Sequence, residues 1–251
     1  MWTVAVSVLS VALPAVLLAR AIQGRFVSRL PYFFAYIAFI LCSTIIELVL
    51  LTSFPKHYAT VYWFDYLLAQ VVEFAVLLEV SNILFDPYPA LRRLGGLLCA
   101  GVITCFTAIY IFPALLYRGP TNTLLLDLVK RTALTKALIV LVLLFAARSY
   151  KLKLDRICSG ILLGFSLYLG VSVANFQLAS TYGRALYAPI LWYVGPLGWI
   201  LGATIWTATL WNYAPAAAQA RPPRKGNHEM AVPVAAQIAR FNNALLRLLQ
   251  R

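Results

Sequence analysis

Seven apolar runs, each about as long as a bilayer crossing, leave this chain few folds to adopt. A helical span needs about 20 mostly apolar residues. Inside lipid only helices and closed barrels satisfy their own backbone groups. The runs cover 2–19, 32–52, 60–85, 96–116, 123–147, 157–180 and 187–211. They predict an all-α integral membrane protein, a seven-transmembrane-helix bundle over residues 1–212. A Pro- and Ala-rich linker over 213–233 and a basic amphipathic helix over 234–251 are expected to follow. Hydrophobic residues make up 62% of the chain and charged residues only 12%, too few to cover a soluble surface of this size.

The formal net charge of +13 would suit a nucleic-acid partner, but its placement argues otherwise. With the N-terminus outside, the inner connections hold Arg20, Arg25, Arg29, Arg92, Arg93, Arg148, Lys151, Lys153 and Arg156. The tail adds Arg221, Arg224, Lys225, Arg240, Arg247 and Arg251, whereas the outer connections hold Lys56, Arg118 and Arg184. This asymmetry follows the positive-inside rule, so the N-terminus is expected outside and the C-terminus in the cytoplasm. No nucleic-acid partner is expected. No basic stretch precedes the first run and arginines follow it, so it reads as a retained span rather than a cleaved signal.

Charge inside the spans is the second constraint. Glu73 and Lys136 each fall near the middle of a run, about a dozen residues in, where an isolated charge costs several kcal/mol. Their matched depth suggests pairing across the third and fifth spans. On the third span Tyr62, Tyr66, Gln70 and Glu73 recur at helical spacing and share a face. Glu47, Asp65, Lys130 and Arg131 fall in the outer half. Asp127 sits one turn before Lys130 and Arg131, and Asn175 approaches the outer end of the sixth span. Glu47, Asp65, Gln70, Glu73, Lys130, Arg131, Lys136 and Asn175 are therefore candidates for one of two things. They line an outward-opening pocket between the second, third, fifth and sixth spans, or they form a structural ion-pair network.

Several chemistries are set aside. The seventh run carries no lysine for a rhodopsin-like Schiff base, and no run contains a histidine for haem. Nucleotide, serine-hydrolase and zinc-protease motifs do not occur. Cys42, Cys99, Cys105 and Cys158 make no Cys-x-x-Cys pair and read as small apolar residues. No catalytic residue, metal or cofactor is expected, and the chain is not assigned as an enzyme.

Gly160/Gly164 and Gly198/Gly202 put two glycines on one face of the sixth and seventh spans, a pattern that lets backbones approach closely. Pro189 and Pro196 remove backbone donors from the seventh span and favour a bend. In the tail, Ile238, Phe241, Leu245, Leu248 and Leu249 face one way, with Arg240, Arg247 and Arg251 supplying a basic side. That suits a helix lying on an anionic leaflet or against a cytoplasmic protein. At about forty residues the tail is too short for a kinase or cyclase domain.

In span number and orientation the chain resembles seven-helix receptors in a general way, and span count alone does not establish function. Three functions remain open: a sensor or receptor-like module with a polar pocket in the outer half, a small-solute or proton-coupled transporter using Glu73 and Lys136, and a structural or assembly subunit of a membrane complex. The expected location is the plasma (cytoplasmic) membrane. The expected partners are the lipid bilayer, anionic lipid at the tail, and a cytoplasmic protein or a second copy of the chain.

Overall fold

A computed structural model of the chain describes residues 2–86, 88, 92–93, 95–97, 100–101, 104, 121–149, 155–182 and 184–211. The expected fourth span lies mostly outside these residues, and the linker and tail helix wholly so. The described residues are 94% helix, with no strand among them. The long helices are α1 (Trp2–Gln23), α2 (Pro31–Ser53), α3 (Pro55–Leu84), α4 (Thr121–Ser149), α5 (Arg156–Tyr182) and α6 (Arg184–Trp211). They fall on the first, second, third, fifth, sixth and seventh apolar runs.

Among the described residues, four segments are long and apolar enough to cross a membrane: Ala5–Gln23, Pro31–Ser53, Phe64–Leu84 and Arg156–Ala179. With 29 and 28 residues, α4 and α6 are as long as these. Along its length α4 carries Lys130, Arg131, Lys136 and Arg148. The bundle is apolar on its outside. Ile45, Ile46, Val49 and Leu51 on α2 are exposed, as are Leu134, Leu138, Leu141, Val142 and Phe145 on α4. A soluble monomer rarely shows apolar area on that scale. Meanwhile Glu73, Glu79 and Lys136 are buried. This distribution suits a multi-pass membrane protein.

The helices pack in chain order around a closed ring, with α6 returning to α1 and α3 touching α5 across it. Their directions can be read from contacts at one end. Glu79, near the end of α3, accepts the Tyr32 and Phe33 N–H groups of the first turn of α2 at 3.0 and 2.9 Å. Those groups have no partner within their own helix, and a carboxylate at a helix N-terminus is favourable. Arg29, between α1 and α2, pairs with Asp155 just before α5 at 2.9 Å. Arg20 near the end of α1 donates to the carbonyl of Trp211, the last residue of α6, at 3.4 Å, and its guanidinium lies 5.9 Å from that indole. One end of the bundle therefore gathers the ends of α1, α3 and α6 and the starts of α2 and α5. The end of α4 is there too, because the few residues between Ser149 and Arg156 cannot span a helix of about 43 Å.

Two tight connections set this alternation. After α1, Phe26 N–H bonds to the Ala21 carbonyl at 3.0 Å and Arg25 N–H to that of Ile22 at 3.2 Å. This is a Schellman closure, and Arg25 takes the left-handed conformation it needs, with φ 55°. Between α2 and α3 only Phe54 intervenes, and Pro55 opens α3, where its missing N–H costs nothing.

The best-packed region is the α5–α6 seam. A Cβ on Gly160 would strike Thr209, one on Gly164 would strike the Trp206 indole, and one on Gly198 would strike Val171. A Cβ on Gly202 would lie 3.0 Å from the Gly164 carbonyl oxygen. The two small-residue motifs thus meet each other within the chain in antiparallel register. Trp206, wholly buried, donates its indole N–H to the Ile161 carbonyl at 3.2 Å. Its ring stacks edge-on against Phe33 at 5.5 Å and packs against Phe165 at 5.0 Å, joining α2 to α5 and α6. Serine and threonine hydroxyls along these helices bond back to carbonyls one turn earlier, as Ser166 does to Leu162 and Thr207 to Ala203. Apolar surroundings demand such internal pairing.

Candidate functional site

Midway along α3, the polar face expected from spacing turns inward. Gln70 and Glu73 are buried, and Lys136 reaches both from α4. Its ammonium donates to the Gln70 side-chain oxygen at 2.5 Å and to one Glu73 carboxylate oxygen. The other Glu73 oxygen accepts the Tyr36 hydroxyl of α2 at 3.0 Å. Glu73 and Lys136 are each only 1% exposed, so both charges have left solvent and neutralise one another. Removing two ions from water is costly, and Gln70 and Tyr36 help offset it with further hydrogen bonds to the pair.

Beside this contact is a cavity of about 270 Å³. Its deep end is formed by Glu73, Tyr36, Tyr168 of α5 and Trp199 of α6. Toward the α2–α3 turn it is bordered by Gln70, Tyr66, Asp65, Tyr62 and Glu47, with Ser43 and Thr44 facing them from α2. Asp65 is fixed by the Ser43 hydroxyl, which donates to it at 2.6 Å. Tyr58, Tyr62 and Tyr66 follow one another up α3 with ring centroids 6.0 and 6.2 Å apart. Ser10 of α1 and Pro196 of α6 complete the lining. The Trp199 indole N–H is buried and faces the Tyr36 hydroxyl.

Of the residues singled out from the sequence, Glu47, Asp65, Gln70 and Glu73 border one cavity, and Lys136 sits behind Gln70 and Glu73. Among the described residues of α4, none lines the space. Lys130 is half-buried and Arg131 exposed, both outside the lining. Asn175 is buried in the α5–α6 seam, where a Cβ on Gly195 would lie 3.6 Å from its amide nitrogen. The Asp127 side chain lies outside the described residues. Among the described residues, α1 and α6 also contribute to the wall, through Ser10, Pro196 and Trp199. Lys136 is turned onto α3, which stands between α4 and the cavity.

Tyr36, Ser43, Tyr168 and Trp199 were not foreseen. Only Ser43 carries a usable signal, a hydroxyl about three turns inside an apolar run and one turn before Glu47. Tyr36, Tyr168 and Trp199 look like ordinary membrane aromatics until three separate helices bring them to one point. No protein-family model, curated protein or solved structure matches the chain, so the functional reading rests on the site itself.

Proposed function

We propose that the chain is a seven-span receptor-like module that binds a small polar solute in the Glu47–Asp65–Glu73 cavity. The observation that carries this reading is the cavity's position. It is a space with several carboxylates and hydroxyls inside an otherwise apolar bundle, with α1, α2, α3, α5 and α6 in its wall and the Glu73–Lys136 contact beside it. A solute that altered that contact would act on α3 and α4 together, and both helices finish at the end rich in arginine. Pockets of this form, mostly apolar with a few convergent polar groups, are the usual places for ligands between helices.

The topology supports the same picture. Because α3 and α4 finish at the same end, the chain between them joins opposite ends of the bundle, as a fourth span over 96–116 would. Arg20, Arg25, Arg29, Arg148 and Arg156 lie at or near that end, and Lys56 and Arg184 at the other. The positive-inside rule then favours a cytoplasmic first end, an N-terminus outside and a cavity in the outer half of the bundle, in what we take to be the plasma membrane. The basic tail would lie on the anionic inner leaflet or engage a cytoplasmic partner.

The test is a solute screen on the purified protein in detergent, read as the thermal unfolding midpoint. A solute that raises the midpoint of wild type, but not of Asp65→Asn, supports the reading. A screen in which every stabilising solute acts equally on both proteins overturns it. The buried ion pair beside the cavity also suits a transporter, and substrate-driven flux in proteoliposomes would replace the receptor reading with that one. Reporter fusions after Ala147 and near Arg184 should read cytoplasm and exterior, and the reverse pattern would reject the orientation.

A further inference from the structure

We propose that the ligand of this cavity is a small organic ammonium ion, with Glu47 and Asp65 as its countercharges and tyrosine and tryptophan rings as its walls. The inference rests on the cavity being a ligand site and names the ligand's chemistry.

The charge balance comes first. Three carboxylates border the space, those of Glu47, Asp65 and Glu73, and among the described residues none of the lining is basic. Lys136 contacts Glu73 from behind, so that carboxylate is already matched. Glu47 and Asp65 face the same space from α2 and α3, and Ser43 supplies Asp65 with a neutral hydrogen bond rather than a charge. An anion entering here would meet like charge in a poorly screened interior, whereas a cation would be drawn in.

The walls point the same way. Tyr62, Tyr66, Tyr168, Tyr36 and Trp199 give the space an aromatic lining on several sides. Aromatic faces attract cations, most strongly when desolvated, and such cages are the common means of holding a quaternary ammonium. A hydrated metal ion would find oxygen ligands but no use for the rings. The volume, about 270 Å³, lies below the roughly 300–1,000 Å³ of pockets for drug-sized molecules and suits a compact cation. The same chemistry is offered by a free amino alcohol and by the headgroup of a choline or ethanolamine lipid.

The probe is choline, with 3,3-dimethylbutan-1-ol as its uncharged isostere, titrated calorimetrically into the whole protein in maltoside micelles. Choline should bind saturably and the isostere at least tenfold more weakly. Asp65→Asn and Glu47→Gln should each weaken choline about tenfold or more, and Tyr62→Leu about fivefold. Glu47→Gln is read in parallel because Asp65 also holds Ser43, so its loss disturbs the local fold. Equal binding of choline and its isostere, or unchanged choline affinity in Glu47→Gln, overturns the proposal. If acetate or glycerol stabilises the protein through the cavity while choline does not, the ammonium assignment falls and the receptor reading stands. If no solute effect depends on Asp65 or Glu47, both fall. Nanodiscs separate the two sources. Weaker apparent choline binding in phosphatidylcholine than in phosphatidylglycerol identifies a competing lipid headgroup, and equal binding identifies a free solute. Either outcome keeps the ammonium chemistry.

Discussion

Along α5 and α6 the helices meet through Gly160, Gly164, Gly198 and Gly202, with Trp206 filling the space beside them. Between α3 and α4 the meeting point is an ammonium laid on a carboxylate and an amide. The first contact depends on the absence of side chains and the second on the match between them. Glycine packing in an apolar medium gains dispersion contacts over a long seam and needs no partner chemistry. The ion pair concentrates its energy in a few atoms and fails if one is removed. The seam therefore reads as a fixed frame, and the polar contact as the place where a change of state would register.

Breaking the polar contact should have the largest effect. Lys136→Met leaves Glu73 buried without its cation and is expected to cost roughly 3–5 kcal/mol, by analogy with buried pairs in soluble proteins. Glu73→Gln should cost a similar amount. The double variant should recover much of the loss, because a neutral pair strands no charge. Chemical denaturation in mixed micelles measures all three. Strict additivity would show that the two residues are uncoupled and that the comparison is misdrawn.

The seam is next. Gly164→Ala drives a methyl group into the Trp206 indole, which is itself held by the Ile161 carbonyl. Overpacking of this kind costs about 1–3 kcal/mol. A second change that shrinks Trp206 to Phe should relieve part of it. If Gly164→Ala is neutral, the seam is looser than the frame it is taken to be.

Two smaller changes sharpen the contrast. Glu79→Gln keeps one acceptor at the start of α2 but sets an NH2 against the other backbone N–H and loses the charge, and about 2 kcal/mol should follow. Arg29→Ala removes a partly exposed bridge to Asp155 and should cost at most about 1 kcal/mol, less at high salt. An Arg29→Ala loss as large as that of Lys136→Met would show that the arginine-rich end, not the buried pair, holds the bundle together.

The sequence by itself determined where the helices lie. An apolar run of some 20 residues must hydrogen-bond to itself in lipid, whatever surrounds it, so α1 to α6 follow the runs with ends extended by only a few residues. It also marked Glu73 and Lys136 as costly, because depth in a span is a one-dimensional property. Tertiary structure decided what those charges touch. Spacing could put Tyr62, Tyr66, Gln70 and Glu73 on one face of α3, but not say that Tyr36, Tyr168 and Trp199 would arrive from three other helices to close a cavity over it. Nor could it say that Lys136 would stand behind α3 instead of in the wall. Rotation of each helix about its axis is set by which side chains interlock, here by Trp206 against Gly164 and Phe33. Those contacts join residues on different helices, far apart in the chain, and no local pattern records them.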